Sequence, residues 1–400
     1  MATGPLQGMK VLDLSHVMAG PTCALMLADM GAEVIKVEKL PGGDDVRRQV
    51  PPKIGDEAAS FMMMNRNKRG IALDLKKPGG KRVLEQLVPQ VDVLIENFSP
   101  GTMEKLGFGY ARLRDINPGL IYCTVTGFGR SGPYAQRRGF DLVAQAMSGI
   151  MSFTGEGPGR PPVKCGAPLT DITAGILAAM GVLAAYTHRL KTGQGQMVDT
   201  SLFEAGIVHT YWQSAIAFAT GVAPGAMGSA HPLSAPYQAF ETGDGWMVVG
   251  GANQNNWLRL VEALEAPELL DEPRFKENRD RITNLAALQE ALTPHFRKRT
   301  TEEWMARFEA IGLPCGPVND VRQMHADPQA VAREMVIEVD HATLGKVRTL
   351  GLPVKFSDTP GGVRRGAPLL GQHTREVLRE FGFADAEIDG FLAEGAVVQP

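Results

Sequence analysis

The run Gly166-Ala167-Pro168-Leu169-Thr170-Asp171-Ile172-Thr173-Ala174-Gly175 sets a single carboxylate where a loop turns into an apolar stretch, Ile176 to Ala185. Two chemistries fit such an aspartate. As an N-cap, its oxygen accepts from the first unpaired N–H groups of a helix. As a nucleophile, its ionised form is favoured at the positive helix end, and it attacks an activated acyl carbon to form a covalent intermediate. The cap is the commoner use of the residue, so the rest of the chain has to decide.

Three polar clusters lie upstream. Asn65-Arg66-Asn67-Lys68-Arg69-Gly70 precedes an apolar strand, Glu96-Asn97-Phe98-Ser99-Pro100-Gly101 follows one, and Arg137-Arg138-Gly139-Phe140-Asp141 opens a helical pattern. In a parallel sheet, segments after strand C-termini converge on the ligand crevice. Lys and Arg gathered there, in a chain of net charge −3, point to an anionic ligand, and phosphates fit. Taken singly, each cluster also reads as solvated surface charge. His16, just before the first helix, could act as a general base; it is assigned to pocket lining. His231 with Pro232 reads as a structural turn.

The eight histidines form no H-x-x-x-H pair, and Cys23, Cys123, Cys165 and Cys315 have no metal-type spacing, so no metal site is expected. Cys165 lacks an adjacent histidine and reads as a small buried filler. Free thiols suit a reducing cytoplasm, and the start of the chain does not resemble a secretory leader. The charge balance gives no reason to expect nucleic acid or a basic membrane contact. The most apolar run, Ile176 to Tyr186, is read as a core helix too short to span a bilayer.

These residues are positioned by an alternating pattern. Met9 to Leu14 reads as a strand, Thr22 to Met30 as a helix and Glu33 to Glu38 as a second strand, a right-handed βαβ unit. The turn after the first strand, Ser15 to Gly20, lacks the glycine fingerprint of dinucleotide binding. Strands Ile71–Leu75, Val91–Glu96 and Gly119–Thr126 alternate with helices Gly79–Val88, Met103–Leu106, Phe140–Gly149 and Ile172–Leu190, which is a doubly wound α/β arrangement. Gly221 to Pro236 is rich in Gly, Ala, Ser and Pro. An antiparallel pair is expected at Tyr237–Phe240 and Gly245–Gly250, then helices at Asn256–Leu264, Asn284–Phe296 and Thr301–Ile311. Strand-like pieces return after Val331, and Thr374–Phe381 is a late helix.

Over Leu6 to Leu392 the chain resembles the class III CoA-transferases, the CaiB/BaiF type that includes formyl-CoA transferase. The matching stretches, in order, are Leu12-Asp13-Leu14-Ser15-His16-Val17 with Ala19-Gly20-Pro21, Gly31 to Glu38, Asn67-Lys68-Arg69, Glu96-Asn97-Phe98, Gly127-Phe128-Gly129, Gly139-Phe140-Asp141, Lys191-Thr192-Gly193 and Pro368 to Thr374. The resemblance implies a Rossmann-like large domain built from both ends of the chain, a small inserted α+β domain, and an interlocked homodimer. The expected bounds are 1–205 with 331–400 for the large CoA-binding domain, 206–225 for a linker and 226–330 for the small domain.

The family's catalytic carboxylate falls on Asp171. The implied route has Asp171 attack a donor acyl-CoA to give a mixed anhydride; CoA thiolate then converts it to an aspartyl-CoA thioester, and the acceptor acid reverses the exchange. CoA contacts fall on Val17, Lys39, Leu73, Lys76, Asn97, Lys105 and Arg138, with Lys39, Lys105 and Arg138 facing phosphates. Asp141 falls where the family has an orienting acid. The implied ligands are a CoA thioester, as substrate with no tightly bound cofactor, and a carboxylic acid.

Two departures bear on the substrate. Met18 stands where formyl-CoA transferases carry Gln, and their glycine-rich loop has no match between Pro224 and Pro236. Formate and oxalate are therefore poor candidates, and a dicarboxylate donor such as succinyl-CoA is expected. Two rivals are kept: an α-methylacyl-CoA racemase of the same fold, which would need a base where Phe140 stands, and a non-catalytic CoA-binding protein, which would not need Asp171.

Overall fold

Branched apolar runs separated by helix formers fold here into one wide sheet covered on both faces. The structure is a computed structural model and describes residues 4–400. β1 (Lys10–Asp13) leads through α1 (Ala19–Asp29) into β2 (Glu33–Lys39), paired in parallel with Leu12 opposite Ile35. A short hairpin, β3 (Lys53–Ile54) and β4 (Glu57–Ala58), precedes β5 (Lys68–Leu73). β6 (Val93–Glu96), α2 (Thr102–Leu106), β7 (Ile121–Thr126), α3 (Asp141–Met147), α4 (Leu169–Thr192), β8 (Met197–Ser201), α5 (Leu202–Val208) and α6 (Tyr211–Thr220) follow. Next come β9 (Tyr237–Glu241), β10 (Trp246–Gly250), β11 (Cys315–Pro317), the antiparallel pair β12 (Val336–His341) and β13 (Gly345–Leu350), and the closing strand β14 (Val397–Val398).

The large sheet has the order β14-β5-β2-β1-β6-β7-β8 and is parallel except for β14. Successive side chains of a strand point to opposite faces, so Val11 and Leu12 enter different cores. Leu12, Ile35, Ile71 and Leu94 pack beneath Val83, Leu84, Leu113, Val377 and Ile388 from helices at both ends of the chain. Val11, Val34, Val93 and Cys123 meet Ala24, Leu27, Ala174, Ala178 and Val182 of α1 and α4. Alanines on this second face let the two helices lie close to the sheet and to each other. Strand order reverses between β1 and β6, which opens a crevice at their C-terminal ends.

The chain divides into two units, residues 1–150 with 165–210 and 328–400, and residues 151–164 with 211–327. The second unit has its own core. Phe240, Met247 and Val249 of β9 and β10 pack on Trp257, Leu260, Leu292, Phe296, Trp304 and Phe308, and the Phe240 and Phe296 rings stack at 4.4 Å.

Several expectations are corrected. The stretch 206–225, expected as a linker, is largely helical, in α5 and α6; its Ala-rich sequence carries no turn signal before Gly221. α1 starts at Ala19 rather than Thr22, because Pro21 sits in a first turn where no N–H is required. α4 runs for 24 residues, so it is long and apolar enough to cross a membrane, contrary to the length expected; only 39% of its most apolar window is buried. One stripe packs on α1, while Ile172, Ile176 and Met180 are exposed. β8, the helix Tyr110–Ile116 and the helix Asp385–Glu394 were not expected.

Under the sheet's C-terminal edge lies a buried charge cluster. Lys68 Nζ donates to Asp13 (2.8 Å), Asn65 (3.0 Å) and the Pro21 carbonyl (3.1 Å). Lys36 Nζ donates to Asp44 (2.9 Å) and to the Ser15 carbonyl, and stands 3.8 Å from Asp13. All four charged side chains are completely buried. Against the cost of burial, the two lysines hold Asp13 and Asp44 below the usual carboxylate range. Truncating one member leaves its partners as unpaired buried charges. Asp13→Ala is expected to cost about 3–5 kcal/mol, read by urea unfolding; a loss below about 1 kcal/mol would mean that the cluster is solvated like a surface pair.

Candidate active site

A cavity of about 550 Å³ opens at the C-terminal ends of β1, β2, β5, β6 and β7. Its wall comes from the residues just past each strand: His16, Val17 and Met18 after β1, Lys39 and Leu40 at the end of β2, Leu73 to Lys76 after β5, Asn97 to Pro100 after β6, and Thr126 and Gly127 after β7. Arg137, Arg138 and Phe140 close one side, and Asp171 stands on the wall from α4.

The turn from β1 to α1 is fixed almost entirely by side chains. Ser15 N–H donates to Asp13 (3.0 Å) and its carbonyl accepts from Lys36. The Asn97 side chain grips His16 on both sides, accepting from its N–H (2.7 Å) and donating to its carbonyl (2.8 Å). Val17 N–H donates to Asp44 (3.0 Å). Val17 has φ +66°, a left-handed conformation that a branched residue adopts at a cost of about 1–3 kcal/mol. Such strain persists only where the surroundings over-determine it, as the Asp44 and Asn97 bonds do here.

Asp171 lies in the first turn of α4, three positions past Pro168, the residue that precedes the helix, so it is not the N-cap. Among the described residues no hydrogen bond reaches its carboxylate. Burial, and then the negative charge of Asp141, push its pKa up to about 6. Asp141 is itself fully engaged: it accepts from the Thr170 N–H (2.9 Å) and hydroxyl (2.8 Å), and from Gln145 (2.7 Å). It therefore holds the start of α4 and does not line the cavity. One turn beyond Asp171, Gly175 meets α1 so closely that an added Cβ would stand 2.6 Å from both the Ala19 carbonyl oxygen and Thr22 Cβ. This contact places Asp171 beside the N-terminus of α1.

The structure gathers His16, Val17, Met18, Lys39, Leu73, Lys76, Asn97, Arg138 and Asp171 on one cavity. Lys105 is not among them; it sits on the exposed face of α2, whose Thr102 and Leu106 face the cavity instead. The basic cluster 65–70 is also corrected. Lys68 and Arg69 belong to the start of β5, the end opposite the cavity, and pair with Asp13 and with Glu376 and Glu380; Arg66 pairs with Asp29. Lys39 is bound to Asp45 at 2.7 Å, a pairing not anticipated. Arg137, which stacks on Tyr134 at 4.0 Å, lines the cavity beside Arg138, a position the resemblance does not single out. Cys165 is half-buried rather than a buried filler. In the second unit the His231 ring stacks on Tyr237 at 5.3 Å and its Nδ1 accepts from Leu233 N–H (3.1 Å). Among the described residues no group of His, Cys, Asp or Glu is arranged to hold a metal ion.

A crevice at a switch point of a parallel sheet, rimmed by cations and holding one unpartnered carboxylate, is built for an anionic ligand with an electrophilic carbon. The chain belongs to CoA-transferase family III, whose sequence profile matches residues 6–374, and it is an enzyme of that class. It is 38% identical to the succinyl-CoA:glutarate CoA-transferase of Homo sapiens, over 99% of this chain and 90% of that one. It is also 38% identical to the acetyl-CoA:oxalate CoA-transferase of Acetobacter aceti, over 96% and 97% of the two chains. Among solved structures, a CaiB/BaiF family protein from Brucella suis superposes with a TM-score of 0.85 at 38% identity, covering 95% of this chain and 100% of that one.

Gly175→Ala is expected to force α4 away from α1, costing about 1–3 kcal/mol and lowering turnover through displacement of Asp171. Thermal unfolding and initial rates measure both; unchanged turnover would show that the close contact does not set the carboxylate. Asp171→Asn is expected to raise the unfolding temperature at neutral pH, since it removes a buried charge without a partner. The folded pKa is raised, so the gain is present above pH about 6 and fades as pH falls toward 3.8, where the native aspartate is also neutral.

Proposed function

We propose that this enzyme moves CoA from a dicarboxylic acyl-CoA donor, of the succinyl-CoA class, to a carboxylic acid acceptor by way of covalent intermediates on Asp171. The carrying observation is the Asp171 carboxylate itself, half-buried, with no hydrogen bond among the described residues, on the wall of a cavity whose rim supplies Lys39, Lys76 and Arg138. A carboxylate solvated by partners is a weak nucleophile; one stripped of them is not. Attack forms the bond from the Asp171 oxygen to the acyl carbon and breaks the carbon–sulfur bond, releasing CoA thiolate. The thiolate attacks the aspartyl carbonyl, the donor acid leaves as carboxylate, and an aspartyl-CoA thioester remains. The acceptor carboxylate then runs the two steps in reverse order.

The relative named for succinyl-CoA and glutarate supports a dicarboxylate pair. The relative named for oxalate weakens the expectation that oxalate is a poor acceptor, so we retain only formate as disfavoured. Phe140 lines the cavity and carries no proton, which counts against a two-base racemase. The exposed apolar stripe Ile172, Ile176 and Met180 on α4 supports an interlocked homodimer, as do Tyr211, Trp212 and Phe218 on α6, a helix with no buried residue. The cysteines, which form no disulfide among the described residues, suit a reducing, cytoplasmic setting.

Mixing the enzyme with succinyl-, acetyl-, propionyl- or formyl-CoA and quenching with hydroxylamine is expected to leave a hydroxamate on the Asp171 peptide, strongest with succinyl-CoA. No adduct with any donor would overturn the covalent route. The acid limb of kcat/KM is expected to fall below pH about 6 as Asp171 takes a proton, and Asp141→Asn is expected to move that limb to lower pH. A limb that ignores Asp141 would mean that another group titrates.

A further inference from the structure

The reaction proposed above releases CoA as a thiolate and requires the same sulfur to attack a second carbonyl before it is lost. A thiolate that drifts away leaves the anhydride to water, and the net result is thioester hydrolysis. No step in the exchange transfers a proton, because every group that attacks or departs, carboxylate or thiolate, does so as its anion. A histidine in this site therefore has no acid–base task. It can serve as a fixed donor to the one anion with no other partner, the sulfur.

His16 has the placement for this. Its ring is on the cavity wall yet only 8% exposed, and it leans on Phe98 with centroids 5.2 Å apart. Nδ1 is buried without a hydrogen bond and faces Asp44 Oδ1 at 3.8 Å. Asp44 is in turn bound to Lys36 at 2.9 Å. Among the described residues no hydrogen bond reaches Nε2, the ring nitrogen left to address the cavity. The backbone of His16 is clamped by Asn97, so the ring cannot withdraw by moving its main chain. His16 precedes α1 by three residues, and the first turn of α1 packs against α4 one turn from Asp171. Ring and carboxylate thus flank the same helix end, while Lys39, Lys76 and Arg138 are left for the phosphates.

We propose that His16 holds the CoA sulfur while it is free, as a fixed ring N–H donor in a row of thiolate, His16, Asp44 and Lys36, and that Asp44 is the positioning residue for the ring. This rests on the covalent reading of Asp171. The test follows acyl transfer and free CoA together, using succinyl-CoA with glutarate as acceptor and a thiol-specific chromogen as the second readout. His16→Ala is expected to raise the ratio of hydrolysis to transfer about tenfold, with KM for succinyl-CoA changed less than about threefold. His16→Gln, which keeps a neutral donor, is expected to fall between, and Asp44→Asn to shift the ratio in the same direction. A role confined to structure would lower hydrolysis and transfer in proportion; a ratio unchanged in His16→Ala, in an enzyme that still forms the Asp171 hydroxamate, overturns the assignment. Wild-type enzyme that forms no hydroxamate overturns the reading beneath it as well.

Discussion

Everything around the crevice depends on the buried pairing of Asp13 and Asp44 with Lys36 and Lys68. Such a cluster is a poor source of stability, since taking charges out of water costs about as much as their attraction returns. Its value is directional. Hydrophobic packing fixes where a strand lies but not how the backbone beyond it turns. Lys36 reaches the Ser15 carbonyl, Asp13 the Ser15 N–H and Asp44 the Val17 N–H, so three polar groups of the turn after β1 are held by the cluster. Only this density of bonds keeps Val17 in a conformation that its branched side chain resists. Because Asp13 and Lys36 stand on β1 and β2, the turn is tied directly to the sheet.

The same sheet accounts for the opposite treatment of Asp171. Asp141 accepts three hydrogen bonds and is thereby kept as an ordinary structural carboxylate at the start of α4. Asp171, on the same helix end, receives none and has a like charge for a neighbour. Two carboxylates that feel each other's charge are thus treated differently by their surroundings, one fully hydrogen-bonded and one with no hydrogen bond among the described residues. The close contact of Gly175 with α1 fixes the helix one turn beyond Asp171.

Most of the scaffold was legible because apolar runs with period-two burial and glycine-marked turns report directly on strands and their connections. β1, β2, β6 and β7 lie within a residue or two of where their sequences place them. β8 was not legible: it is a sheet edge, and Met197-Val198-Asp199-Thr200-Ser201 carries the mixed composition of a half-exposed strand. Lys68 was misread for a different reason. A lysine beside two arginines looks like solvated charge, and nothing local announces that its partner Asp13 is 55 residues away in sequence and one strand removed across the sheet. The residues past each strand end could be assigned to the crevice from topology alone. Lys105 could not, since a helix has a facing side and its five-residue length gives no period long enough to read one.

What sequence cannot express at all is the absence of a partner. Asp171 and Asp141 are the same residue type, each placed at a helix start, and only coordinates separate the one that is bonded from the one that is bare. The same holds for His16, whose Nδ1 is buried with no hydrogen-bond partner among the described residues. An exchange of one anion for another at a single carbon asks for little proton traffic. It asks for a constant field into which carboxylate and thiolate can take turns without the protein reorganising between them. Charges already locked against each other, in bonds that no ligand has to form, supply such a field. The crevice is therefore better understood as a rigid counter-charge than as a set of acids and bases, and the buried lysines that no ligand touches belong to the site as fully as the residues that line it.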